Sequence, residues 1–393
     1  MIGDGDEPKA AGPTDRIVPP PDVASVTSPR DDVKPDEVVS ASPPVHDEEA
    51  LAVIAETVPG ATGHTPLAMP RAAWWSILKR VYVMTGFHNL SLLAAGVAFY
   101  AFLAFVPLIA SIVLLYGLVG DPQTVAQSID LLADIAPPEV LTILRDQLLA
   151  IVTSSKAAQG FGLILAILFA LYGAMRAATA MIAALNIVNE EPETRSIVRT
   201  TAIAALITVG MVGVALVGIL SISVFAYVSN FLAPYLGPVT AALIQLATWL
   251  FAGALVSFTF AIFFRYAPDR RAAKWRWLSV GSILSTLLWV AITAGFGFYV
   301  SDVSDYNATY GSLAAVVIFL MWLFLSAYAV LIGAEVNAEV ERQTMVDSTV
   351  GPDKPIGQRG AAMADNVALD EASRSLLEKK RQRASARHAN RAV

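Results

Sequence analysis

Between Leu90 and Ala338 the chain runs through six apolar stretches, each long enough to cross a lipid bilayer. A bilayer's hydrocarbon core is about 30 Å thick, and a helix rising about 1.5 Å per residue needs about 20 apolar residues to cross it. The stretches are Leu90–Val119, Phe161–Met181, Ala202–Val228, Val239–Phe263, Leu278–Val300 and Gly311–Leu331, and none carries more than one formal charge. A single water-soluble core has no room for six such segments. In lipid, a helix satisfies every backbone N–H and C=O within itself. The pattern predicts an all-α, polytopic membrane protein with six transmembrane helices.

Composition agrees with that solvent. The chain is 55% hydrophobic and 15% charged, where soluble domains carry about 25% charged residues. Cysteine is absent, which excludes disulfides, a thiolate nucleophile and a thiolate metal site. The first seventy residues hold no short apolar core behind a basic start, so the first span is expected to serve as an uncleaved anchor.

Three regions follow from composition. Residues 1–69 contain eleven prolines, 13 Asp/Glu and 4 Lys/Arg, a mixture too polar to offset the entropy of ordering. They read as a disordered acidic, Pro-rich arm. Residues 70–340 hold the six-helix transmembrane domain, and 341–393 form a polar and basic tail. Just before the first span, Trp74, Ile77, Leu78, Val81 and Met84 recur at helical spacing among Arg71, Lys79 and Arg80. A helix of that kind lies in the membrane interface or packs on protein. Residues 120–160 read as two amphipathic helices broken at Pro137-Pro138. A helix over Asn366–His388 ends in Lys379, Lys380, Arg381, Arg383 and Arg387. That basic run suits an anionic leaflet or plain solvation; it lacks the interleaved aromatics that nucleic-acid stacking needs.

Orientation follows from the cations, because Lys and Arg enrich cytoplasmic loops. The segment before span one and the connections after spans two and four hold Arg71, Lys79, Arg80, Arg195, Arg199, Arg265, Arg270, Arg271, Lys274 and Arg276. The alternate connections hold only Arg145 and Lys156. Ten against two puts both termini in the cytoplasm.

Catalytic chemistry finds no support in the residues. The four histidines form no i,i+4 pair, no His/Asp/Glu cluster has metal-ligand spacing, and no Gly-rich phosphate loop or nucleophile elbow is present. No catalytic residue, cofactor or metal is expected. What remains is the polar residues inside or beside spans, which are costly in lipid and usually face protein. Arg176 in span two and Glu335 just past span six are expected at similar depth, and two readings stand: Arg176 snorkels to the near face, or it pairs with Glu335. In the second, Asn186 and Asn337 join the pair to close the cytoplasmic side of a cavity. Pro107, mid-span, removes a ladder hydrogen bond and collides with the Leu103 carbonyl, so a kink is expected there. The short outer turn collects Asp302, Asp305, Tyr306, Asn307 and Tyr310, as a head-group or cation site or as a hydrogen-bonded turn.

Four segments together carry a family resemblance. They are Ser91 through Tyr100 and on to Val106-Pro107-Leu108; Arg176 through Leu185-Asn186; Arg265-Tyr266-Ala267-Pro268-Asp269 through Trp275-Arg276-Trp277; and Tyr306 through Leu313, then Gly333-Ala334-Glu335-Val336-Asn337. In order and spacing, the stretch from about Trp74 to Glu339 resembles the YihY/BrkB family of bacterial inner-membrane proteins, once mislabelled ribonuclease BN. Phe99 stands where the family usually has the first of two tyrosines. The resemblance implies six membrane helices with cytoplasmic termini, and links with serum resistance and with lipid or envelope export, without a settled substrate. The expected partners are membrane lipids and an unknown small-molecule or lipid substrate, with no nucleic acid. The functional expectation is a transporter or lipid exporter; the alternative is a non-transporting scaffold, and ribonuclease activity is not expected.

Overall fold

A computed structural model of the chain describes residues 48–119, 156–232, 238–302, 312–369 and 373–379. In chain order its helices are α1 (Glu48–Thr57), α2 (Arg71–Phe87), α3 (Leu90–Val119), α4 (Lys156–Val188), α5 (Ile197–Leu232), α6 (Pro238–Tyr266), α7 (Trp275–Asp302), α8 (Ser312–Glu341) and the single turn α9 (Ala362–Asp365). Helices α3 to α8 are the six spans. Most run past the apolar windows at one or both ends; α4 continues to Val188 and α8 to Glu341.

The spans pack in sequence around a ring: α3 on α4, α4 on α5, α5 on α6, α6 on α7, α7 on α8, and α8 back on α3, with α8 also touching α4. Leu92, Phe99, Leu103, Leu206, Leu250 and Leu287 are among many large apolar side chains left exposed. In water that surface would drive aggregation; in lipid it is the ordinary perimeter of a bundle.

Small residues set the closest approach in the bundle, between α7 and α8. A Cβ on Gly281 would sit 2.0 Å from the Gly333 carbonyl oxygen, and one on Gly333 would sit 2.4 Å from the Gly281 oxygen. Glycine at both positions lets the two backbones touch. Asn337 clasps the crossing: its Oδ1 accepts from the Gly281 N–H at 2.7 Å and its Nδ2 donates to the Leu278 carbonyl at 3.2 Å. Ser285 adds a hydroxyl donated to the Ala329 carbonyl at 3.3 Å. Helix association in lipid lacks a hydrophobic drive, so close backbones and interhelical hydrogen bonds take its place.

One end of the ring is filled. Leu90, Ala94 and Val97 of α3 meet Ile182, Leu185 and Val188 of α4, Ala204 of α5, Phe263 and Phe264 of α6, Leu278 of α7, and Leu331, Ala334 and Ala338 of α8 in one buried cluster. Across this capped end lies α2, with Ile77 and Val81 against Trp277, Val336 and Val340. Its opposite face exposes Trp75, Leu78 and Tyr82, and Lys79 lies over the Trp75 ring. One face of the helix therefore packs on the bundle, as the second of the two expectations had it, and the other face is exposed.

The arm does not remain polar coil through residue 69. Val53 and Ile54 of α1, with Val58 and Ala61, pack on Ile356, Val367 and Leu377 of the tail. The tail, in turn, is not simply solvated. Gln343, Thr344, Asp347, Ser348, Thr349 and Arg359 are buried, held by backbone and side-chain hydrogen bonds that a composition reading does not register. Residues 366–369 are not helical, and the described helical part of the expected terminal helix is 373–379. The expected amphipathic pair in 120–160 and the basic run beyond Lys379 lie outside the described residues.

Candidate functional site

Ion pairs gather where the spans converge. Glu335 and Glu339 stand one turn apart on α8 and are fully buried. The corner between α2 and α3, with Asn89 at φ 51°, brings His88 to Glu335: its Nδ1 lies 2.9 Å from Oε2. From α2, Arg80 reaches Glu339 through Nε and donates to Gln343 Oε1 at 2.6 Å. Arg342 lies between Glu190 at 3.5 Å and Glu339 at 3.6 Å. Glu190 holds a left-handed φ of 53°, unusual for a side chain of that size, at the turn that ends α4.

A second set centres on Glu341. Arg270, in the connection between α6 and α7, pairs with Glu341 through Nη2 and donates from Nη1 to Asn189 at 2.8 Å. Ser348 of the tail also bonds Glu341. Burial opposes the Arg270 charge, but Glu341 outweighs it and holds that guanidinium above its ordinary pKa. Glu191 accepts from the Ala362 N–H at 2.6 Å; burial nevertheless pushes its carboxyl up. Asp347 goes the other way. Burial would raise it, but donation from the Thr349 and Lys354 N–H groups prevails and holds it below the usual range.

The site residues expected from sequence separate into two places. Arg176 and Glu335 form no ion pair. Glu335 takes His88 as its partner, while the Arg176 guanidinium rests over the Tyr100 ring of α3, 5.4 Å from its centroid. The physical reason is depth. Because α4 continues to Val188, Arg176 lies 12 residues from the capped end, about 18 Å along the axis. Glu335 is six residues from the end of α8, about 9 Å. Asn186 does not join the two: it takes the Asp269 N–H at 2.7 Å and donates to Glu193 at 2.9 Å. Asn337 is the α7–α8 clasp. Pro107 sits inside an α3 that stays helical, and Ser111 donates to its carbonyl at 2.7 Å. Asp302 is the last residue of α7; Asp305, Tyr306, Asn307 and Tyr310 lie outside the described residues.

Sequence reasoning missed His88, Arg80, Glu339, Glu341, Arg342 and Arg270. One signal was available: three glutamates within seven residues, Glu335 to Glu341, closing an otherwise apolar helix. Among the described residues no group of three or more His, Asp or Glu side chains is placed to hold a metal ion.

Away from the cap, the packing loosens. No described side chain is buried in α5 after Thr208, in α6 before Ala261, in α7 after Thr286 or in α8 before Ala327. Only α3 and α4 stay closed there, with Ser111, Leu114 and Ala170 buried. Aromatic contacts bridge the looser helices: Phe105 to Phe319 at 4.2 Å, Trp289 to Trp322 at 6.5 Å and Phe225 to Phe251 at 6.0 Å between centroids.

Six apolar helices joined by an ionic cap define a multi-pass membrane protein. The chain belongs to the family described as virulence factor BrkB, whose model matches residues 81–356. It is 25% identical over 179 residues to the ribonuclease-like protein YfkH of Bacillus subtilis (strain 168), covering 45% of this chain and 65% of that one. It is 42% identical over 90 residues to a UPF0761 membrane protein of Alkalilimnicola ehrlichii, 23% of this chain and 20% of that one. A UPF0761 membrane protein of Rhodospirillum centenum is 30% identical over 121 residues, 31% and 26% of the two chains. The matches thus span less than two-thirds of these relatives' own lengths. No solved structure matches the chain.

Proposed function

We propose that this protein is a transporter of the bacterial cytoplasmic membrane that handles a lipid or envelope component, seen with its cytoplasmic end closed. One observation carries the reading: the six spans converge into a buried cluster latched by ion pairs at one end, while α5 to α8 bury no described side chain at the other. A bundle serving only as an anchor gains nothing from that asymmetry, whereas alternating access needs one sealed end and one open end. The ten-to-two distribution of cations supports a cytoplasmic cap, with both termini on that side. In this reading the protein is not an enzyme, and the ribonuclease-like wording attached to one relative does not carry over.

A scaffold is the second reading, and the folded tail favours it. Residues 342–369, packed with α1, present a built surface on the cap where a partner could bind. Reconstitution separates the two. Vesicles containing the protein should move a fluorescent phospholipid between leaflets, and Arg80→Ala, which weakens the latch, should change the rate severalfold. No movement above empty vesicles, for either form, would leave the scaffold.

A further inference from the structure

Arg176 is the one charge well inside the described spans. Lys156 and Asp302 end α4 and α7 on the far side, and every other charged residue of α3 to α8 lies within six residues of a capped end. Arg176 is 12 residues from Val188 and 16 from Gly160 in its span, about 18 and 24 Å of helix. Neither helix end is within reach of its side chain, and Arg176 sits within the apolar stretch of α4. Among the described residues its guanidinium makes no ion pair and rests on Tyr100.

The local geometry explains why it stands there. A Cβ on Gly173 would lie 2.7 Å from the Ala104 Cα, so α3 and α4 touch backbone to backbone at that level. Tyr100 is one turn from Ala104 and Arg176 is three residues from Gly173, so the crossing sets the two side by side. Arg176 shares a helix face with Leu165, Phe169, Tyr172 and Ile187, all exposed. That stripe is the membrane perimeter of α4, opposite the face that Ile182 and Leu185 bury.

We infer that this stretch of the α3–α4 surface binds the phosphate of an anionic phospholipid at membrane depth, with Arg176 as the charged donor and Tyr100 and Tyr172 as flanking phenols. A guanidinium presents paired N–H donors that fit two phosphate oxygens. The cluster offers donors and no carboxylate. A second copy of the chain would not neutralise it at that level, because the acidic residues of α3 to α8 lie at the cap or, for Asp302, at the far end of α7. The occupant is a lipid rather than a free anion because the flanking stripe is apolar: acyl chains can lie along Leu165 and Phe169, whereas a hydrated ion has no route. This deepens the transport reading and rests on it for its purpose, since a phosphate at that depth is one in transit between leaflets.

Native mass spectrometry of the full-length protein tests the inference without requiring flux. Delipidated protein is titrated with phosphatidylglycerol, with phosphatidylcholine and with inorganic phosphate. Phosphatidylglycerol should be retained over phosphatidylcholine, and Arg176→Gln should weaken that retention about tenfold. Arg176→Lys should restore part of it, and Arg276→Gln, an exposed cation at the cap, should leave it unchanged. Should Arg176→Gln fail to fold, Arg176→Lys and Tyr100→Phe carry the comparison, each expected to weaken retention. Unchanged retention in Arg176→Gln, or in both substitute variants, overturns the site. Equal binding of the two lipids overturns it as well, and displacement by inorganic phosphate assigns it to a free anion. If retention depends on Arg176 but vesicles show no lipid movement, the site stands and the transport reading falls.

Discussion

The two ends of the same six helices are built on different principles. At the cap, glycines admit backbone contact, asparagines clasp neighbouring segments and buried carboxylates meet arginines. A few turns away, a Cβ added at Gly213 in α5 or Gly253 in α6 would meet nothing within 4 Å. The far half of α5 to α8 is the more apolar of the two, so apolar composition is not what holds the cap together. In lipid, apolar surface alone does not hold helices together; polar satisfaction and close backbone approach do. The cap has both, and the far half of α5 to α8 has little of either.

That contrast sets the order of mutational effects. Glu341→Gln should cost most, about 3–5 kcal/mol, because it leaves the buried Arg270 charge without its counter-ion; unfolding of the detergent-solubilised protein measures it. Gly333→Ala should follow at about 1–3 kcal/mol or more, since its Cβ would press into Ser285 and the Gly281 carbonyl. Gly213→Ala in the loose half is its control, expected within about 0.5 kcal/mol. Equal effects from the two alanines would erase the contrast. Asn337→Ala should cost about 1–3 kcal/mol by leaving buried groups of Gly281 and Leu278 without their partner.

Acid should act on the tail by a smaller amount and with a defined sign. Asp347 is held below the ordinary carboxylate value, so its contribution is present above about pH 4 and is lost as pH falls through the depressed value. Glu191 is raised; its contribution is present at low pH and is lost as pH rises through the raised value. Protease resistance of residues 342–369 should therefore fall on acidification, and Asp347→Asn should flatten that fall. Glu191→Gln should instead flatten the opposing slope.

The number and order of the spans were legible because a 20-residue apolar run has few alternatives once lipid is the solvent. Helix ends were less legible. The apolar windows stopped at Met181 and Leu331, whereas polar residues near the cap are satisfied by partners and let α4 and α8 continue to Val188 and Glu341. From the observed ends, Arg176 lies 12 residues deep and Glu335 six. Arg176 stood out as a charge in an apolar run. His88 and Arg80 did not, because Arg80 before a span reads as a topology signal, and the buried partner of each lies more than 200 residues away. Glu339 and Glu341 were passed over for the same reason: pairing across such a separation is a property of the fold.

Backbone hydrogen exchange of the protein in lipid nanodiscs tests the central contrast most directly. The account expects amides of residues 327–341 and 178–188 to stay protected, and those of 211–225 and 287–299 on the same bundle to exchange markedly faster. Uniform protection from end to end along α5 to α8 would contradict it.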